Sequence, residues 1–251
     1  MPTFSSDGVE IAYESYGDGR PILLIHGFAS NGRVNWVDTG WVDVLTDAGY
    51  RAITIDNRGH GHSEKLYDPA QYPARTMARD AVRLLDHLEL PDAIFMGYSM
   101  GGRISAFAAI EQPERVNTLI IGGMGINLVH GLGGNDRIIA GLSADSLEDV
   151  TDELGRQFRR FAEHTKSDLK ALAACMGSSR EKITEDDVRK IACPTLVAVG
   201  SNDVTGGDPE ELAALIPNGE SLVIEGRDHM RATGDKQFKD GVLAFLARQN
   251  H

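Results

Sequence analysis

The 251-residue chain is long enough for one large α/β domain with a substantial core, and its make-up (41% hydrophobic, 25% charged) is that of a globular protein. A formal net charge of -12 repels phosphate backbones and speaks against nucleic acid as a partner. No basic leader precedes an apolar run, and no stretch nears roughly eighteen continuous apolar residues, so the expectation is a cytoplasmic protein without a membrane span. Cys175 and Cys193 have neither metal-site spacing nor the density of a disulfide scaffold, which fits a reducing compartment.

In chain order, VEIAYESYG (9–17) alternates and ends on glycine, which predicts a strand and a turn. The apolar run Ile22 to Ile25 predicts a buried strand, and WVDVLTDAGY (41–50) a helix closed by a left-handed Gly49. RAITID (51–56) supplies the next strand. In TMARDAVRLLDHLEL (76–90), Met77, Ala81, Leu84, Leu85 and Leu88 recur at helical spacing, and Pro91 closes the helix. AIFMG (93–97) reads as a buried strand that runs without a spacer into SMGGRISAFAAIEQP (99–113), a helix ending before Pro113. VNTLIIGG (116–123), TLVAVG (195–200) and SLVIEG (221–226) are further strands, and KQFKDGVLAFLARQ (236–249) is the last helix. Strands alternating with helices predict a largely parallel sheet covered on both faces.

One stretch departs from this rhythm. From Gly125 to about Lys190, LEDVTDELGRQFRRFAEH (147–164) and KSDLKALAACM (166–176) succeed each other with no strand between them. An insertion after one strand of a regular sheet reads as a lid, because strand-end loops accept extra chain and carry function. GLGGND (131–136) then reads as the entry to that lid rather than as a phosphate cradle, and the acidic SADSLEDVTDE (143–153) as a solvated face.

Gly97, Tyr98, Ser99, Met100 and Gly101 match G-x-S-x-G, a weak signal alone in a chain with 28 glycines. Its place between a strand and a helix is what a strained elbow requires, with glycines leaving room for the tight crossing. A serine nucleophile needs a base, and the base an orienting acid. Asp203, in the SND after TLVAVG, and His229, in the RDHM after SLVIEG, follow in the order acid then base. His229 is the one histidine beyond the insertion apart from His251. Asp208 suits a helix cap before Pro209, and Asp228 is too close in sequence to His229 to align with it. The backbone amides of Met100 and of Phe28, in the HGFAS loop after PILLI, are the candidate oxyanion donors. His26 reads as a residue that orients this loop, and Tyr98 and Met124 as walls of a substrate pocket.

HGF (26–28), DNRGHGHS (56–63), GYSMGG (97–102), GSND (200–203) and DHM (228–230) occur in one order along nearly the whole chain. In this the chain resembles the α/β-hydrolase family, in its branch of small capped esterases, lactonases and carbon-carbon bond hydrolases. The resemblance implies a predominantly parallel eight-stranded sheet and a hydrolase core over residues 1–125 and 191–251. It implies a helical cap over 126–190 and the triad Ser99, Asp203 and His229. It further implies that DNRGHGHS is a structural turn, so His60, His62 and Asp56 are not expected to hold a metal. The expected activity is a cofactor-free, carboxylesterase-like cleavage of a small-molecule ester through an acyl-enzyme. Lactone or carbon-carbon hydrolysis is the alternative, and a ligand-binding protein on the same fold the non-enzymatic one. Partners other than the small-molecule substrate are not expected, and the sequence carries no signal for an oligomeric state.

Overall fold

Alternation along the central strands builds two hydrophobic cores, one on each side of a single sheet. The structure, a computed structural model, describes residues 1–131, 133–178 and 182–249. Parts of three expected stretches therefore lie outside the described residues, namely 132 in GLGGND, 179–181 in the cap range, and 250 and His251 at the end of the core range.

Among the described residues, eight strands form one sheet: β1 (Thr3–Ser6), β2 (Val9–Tyr16), β3 (Arg20–Ile25), β4 (Tyr50–Ile55), β5 (Ala93–Tyr98), β6 (Val116–Gly122), β7 (Thr195–Gly200) and β8 (Gly219–Ile224). Their order is β1-β2-β4-β3-β5-β6-β7-β8. β2 is antiparallel to β1 and β4, and the remaining pairs are parallel. Crossover helices therefore cover both faces. Leu23, Ile25, Phe95, Ile121 and Val197 face α2 (Ala74–His87), α3 (Met100–Glu111) and the later helix of Pro209–Leu215. Ile22, Leu24, Met96, Ile120 and Ala198 face α1 (Trp41–Asp47) and the last helix, Lys236–Arg248.

Between β6 and β7 lie α4 (Asn127–His130), α5 (Asn135–Ser143), α6 (Glu153–His164), α7 (Leu169–Gly177) and α8 (Glu185–Val188). The two helices of Pro209–Leu215 and Lys236–Arg248 are α9 and α10. α5 and α6 meet at glycines: a Cβ on Gly141 would come within 2.6 Å of the Gly155 carbonyl oxygen. Ile138, Leu142, Ala162, Leu172 and Met176 give this stretch a small core of its own, which also takes in Ala29 of the loop after β3.

The family's eight-stranded sheet is present, and most boundaries fall within two residues of the sequence reading. Three differences have local causes. β1 was not expected, because TFSS offers a single large apolar residue, Phe4. The helix expected from 147 begins at Glu153, because Asp152 accepts the Gly155 N–H at 3.0 Å and caps it there. The helix expected from 166 likewise begins at Leu169, capped by Asp168 on the Ala171 N–H at 2.9 Å. No helix among the described residues is long and apolar enough to cross a membrane.

Candidate active site

Ser99 occupies a backbone conformation that its neighbours' missing side chains permit. Its φ of 53° and ψ of -112° lie in a region that L residues rarely adopt. A Cβ on Gly97 would stand 2.1 Å from the Gly101 carbonyl oxygen, and one on Gly101 would stand 1.9 Å from that of Ile25. β5 and α3 thus cross closer than any side chain allows. The Ser99 N–H donates to Gly122 O at 2.8 Å, and Ser99 O accepts from the Arg103 N–H at 3.2 Å, so the elbow is tied to β6 and to α3.

Asp203 and His229 sit on the loops after β7 and β8, which are joined to each other by the Asn202 N–H on Arg227 O at 2.9 Å. Asp203 Oδ1 accepts from the N–H groups of Thr205 and Gly206, both at 2.9 Å. Its Oδ2 lies 2.7 Å from His229 Nδ1, and His229 Nε2 lies 3.0 Å from Ser99 Oγ. A carboxylate only accepts, so Nδ1 carries the ring proton and Nε2 is left to accept from the serine hydroxyl. The carboxylate is fully buried, while the imidazole keeps 21% of its side chain exposed.

The two other nearby carboxylates are engaged locally. Asp208 Oδ1 accepts from the Glu210 N–H at 2.7 Å and caps α9. Asp228 Oδ1 accepts from the N–H groups of Met230 and Arg231 at 3.1 and 2.8 Å.

Around this chain of bonds the supporting residues are neutral and buried. The Tyr98 hydroxyl donates to the His229 carbonyl oxygen, and its ring packs where Gly122 and Gly123 leave room. Burial raises the Tyr98 pKa, so the phenol stays protonated as a donor. Buried His26 places Nδ1 2.7 Å from Gly27 O, and its Nε2 accepts from the Asn57 N–H at 2.9 Å. Desolvation lowers the His26 pKa. The neutral ring thus joins the loop after β3 to the one after β4.

Within DNRGHGHS, buried Asp56 accepts from the N–H groups of Gly32 and His62, each at 2.7 Å. His60 is fully buried with Nδ1 3.0 Å from Arg58 O, and burial brings its pKa down to about 3. Its ring touches those of His26 and Phe28, with centroids 5.2 and 5.8 Å away.

Phe28, on the loop after β3, and Met100, at the start of α3, are the residues expected to present amides. Met100 is the first residue of α3, where an N–H has no acceptor inside the helix. The Phe28 N–H finds no acceptor among the described residues. Both side chains line a cavity of about 420 Å³ that also reaches Ser99 and His229. Tyr98 and Met124 line it too, although each is almost wholly buried in the packing below. Five of the seven methionines (Met77, Met100, Met124, Met176 and Met230) share the wall with Phe28, Phe158 and Phe161. Val204 and Met230, beside Asp203 and His229, also line the cavity and remain exposed.

Several of these residues went unread in the sequence. Phe158 and Phe161 lie on the apolar stripe of an otherwise polar α6, a signal that was available but does not say what the stripe faces. Met77 and Met176 fall in stretches that read as helices, which does not say that they reach a cavity, and Asn35 carried no signal of its own.

The family described as alpha/beta hydrolase fold matches residues 20–157, more than half of the chain. Over 96% of this chain and 97% of that protein, it is 30% identical to the non-heme chloroperoxidase CPO-A1 of Kitasatospora aureofaciens. It is 24% identical to 3-oxoadipate enol-lactonase 2 of Acinetobacter baylyi, over 99% and 97% of the two chains. The crystal structure of a bromoperoxidase from Bacillus anthracis is 27% identical and superimposes with a TM-score of 0.79, covering 95% of this chain and 96% of that one. With the sheet order and the strand-to-helix elbow, these matches make the chain a member of the α/β-hydrolase family.

Proposed function

We infer that the protein is a serine hydrolase that cleaves a small-molecule carboxylic ester through an acyl-enzyme, with Ser99 as nucleophile, His229 as general base and Asp203 as its orienting acid. His229 takes the hydroxyl proton as Ser99 Oγ attacks the ester carbonyl, and Asp203 stabilises the imidazolium that forms. The amides of Phe28 and Met100 hold the oxyanion. His229 then passes its proton to the leaving alcohol, and a water deprotonated by the same ring splits the acyl-enzyme. No step calls on a metal or cofactor.

The observation that carries this reading is the unbroken run from Ser99 Oγ through His229 to Asp203, beside an apolar cavity. The volume falls within the roughly 300–1,000 Å³ typical of small-ligand sites. Methionine and phenylalanine walls favour apolar acyl or alcohol groups, and thioethers adapt to varied shapes. In this reading residues 126–190 cap a core made of 1–125 and 191–251, and a chain with only two cysteines suits a cytoplasmic setting. Lactone opening is the second reading, favoured by the enol-lactonase relative, and uses the same steps.

A fluorophosphonate probe tests the chemistry. One adduct on the Ser99 peptide is expected by mass spectrometry, together with ester or lactone turnover that Ser99→Ala removes. An Ser99→Ala protein that keeps half the wild-type rate on its best substrate overturns the assignment.

A further inference from the structure

The direction of the Phe28 N–H depends on how Gly27 is held, and Gly27 has no side chain to hold it. A Cβ there would lie 3.6 Å from Ser99 Cβ and 3.3 Å from the Tyr98 carbonyl oxygen, so the loop passes directly beside the elbow. Glycine turns freely about φ and ψ unless its two peptide planes are fixed from outside. The plane after Gly27 is held at its carbonyl, which accepts from His26 Nδ1 at 2.7 Å and from the Ser30 N–H at 3.2 Å. In a trans peptide this carbonyl and the Phe28 N–H point in opposite directions. The plane before Gly27 is held at its N–H, which donates to Asn35 Oδ1 at 3.0 Å. The three bonds together fix both torsions.

Asn35 is itself firmly placed. It lies in Arg33–Val37, the only π-helical turn among the described residues, a form of helix often found at functional sites. Its N–H donates to Asn31 O at 3.0 Å, and its carbonyl accepts from Thr39 Oγ1 at 2.7 Å. The next residue, Trp36, is fully buried against Trp41. Asn35 is 5% exposed, and its Nδ2 is buried without a hydrogen-bond partner. A buried amide with an unpaired donor is a poor choice for packing, since an apolar residue of similar shape avoids the desolvation cost. What the amide supplies here is the oxygen that holds Gly27.

We propose that Asn35 is a positioning residue of the oxyanion hole, its Oδ1 fixing the Gly27 peptide so that the Phe28 N–H points at the oxygen of the tetrahedral intermediate. The proposal rests on the serine-hydrolase reading. Its consequence is selective, because a misaimed donor weakens the transition state and leaves the ground-state complex nearly intact. Removing an oxyanion donor outright costs about 10²–10³ in kcat, and misaiming one is expected to cost roughly 10–100-fold.

The test uses Asn35→Leu, which fills the site, and Asn35→Ala, which leaves it empty. Steady-state ester hydrolysis and the affinity for an alkyl boronic acid, a mimic of the tetrahedral intermediate, are measured for both. Folding is checked by thermal unfolding. Each folded variant should lose roughly 10–100-fold in kcat with KM within about threefold, and boronate affinity should fall by a similar factor. If the leucine does not fold, the alanine alone carries the comparison. Wild-type kcat in a folded variant, a loss confined to KM, a loss in the alanine but not a folded leucine, or a fall in kcat with boronate affinity unchanged overturns the proposal. Fluorophosphonate labelling of wild type runs alongside: without an adduct on Ser99 the serine-hydrolase reading itself fails, whereas an adduct with unchanged variant kinetics overturns the role of Asn35 alone.

Discussion

The sheet with its flanking helices and the helical stretch between β6 and β7 meet at one cavity, yet they are built by different rules. In the first, position comes from backbone bonds: Ser99 is tied to β6, and the loops bearing Asp203 and His229 are tied to each other. In the second, position comes from side-chain packing, with Ile138, Leu142, Ala162, Leu172 and Met176 holding α5, α6 and α7 together. It meets the sheet region through side chains as well, with Leu128 and Val188 in the core on one face of the sheet, Thr165 Oγ1 on Ala29 O at 2.8 Å and the Phe28–Phe158 ring pair at 5.8 Å. Reactive groups need alignment to tenths of an ångström, which a hydrogen-bonded sheet edge supplies. A wall that selects substrates needs shape, and packed side chains on separate helices can vary it without disturbing the sheet.

If this division holds, the largest effects lie on the sheet side and are specific to one carboxylate. Asp203→Asn should keep the fold and lose about three to four orders of magnitude in kcat, because an amide at this position favours the wrong imidazole tautomer. Asp208→Asn and Asp228→Asn touch local turns and should stay within several-fold of wild type. Steady-state kinetics on one ester compares all three. A crippled Asp228 variant beside a near-normal Asp203 variant would reassign the acid.

The same contrast explains what could be read in the sequence. The elbow was legible because steric necessity leaves glycine as the residue for positions 97 and 101, where a Cβ would fall about 2 Å from backbone atoms. Asp203 and His229 were legible because the order of strands fixes which loops reach the elbow. The starts of α6 and α7 were misjudged because the apolar pattern continues past the point where Asp152 and Asp168 capture backbone N–H groups. Phe158 shows the deeper limit. A stripe at helical spacing states that one face is covered, but a neighbouring helix and an open cavity produce the same stripe. Asn35 was hidden for another reason: nothing in the sequence ties an asparagine eight residues further on to the Gly27 N–H that it accepts from.

An intermediate effect should appear as acid sensitivity, and it too belongs to the sheet side. In the folded chain His60 takes its proton only near pH 3, whereas in the unfolded chain it does so near 6.5. Between these values the unfolded state holds the extra proton, so the contribution is complete above about pH 6.5 and is lost as pH falls toward 3. His26, lowered by burial, acts in the same direction. One such proton corresponds to about 1.4 kcal/mol per pH unit. Urea unfolding of wild type and His60→Asn from pH 7 to 4 should show the variant's slope shallower by about one proton. Parallel slopes would exclude His60 as a source of the acid sensitivity.

The smallest effect should come from the helical side and should move selectivity rather than chemistry. Phe158 projects from α6 into the cavity wall and meets Phe28 edge-on, without a hydrogen bond to Ser99, His229 or Asp203. Phe158→Ala therefore removes apolar wall next to the loop that carries the Phe28 amide, while the bonds that hold Gly27 stay in place. Esters with bulky apolar groups should lose about tenfold in kcat/KM, mainly through KM, since one apolar contact discriminates at about that level. Short acetyl esters, which do not reach the wall, should change little. The rate of fluorophosphonate labelling at Ser99 with a small probe should also be unchanged. Equal losses on short and bulky esters, or slowed labelling, would mean that α6 supports the geometry of the reacting groups and that the two regions are not independent.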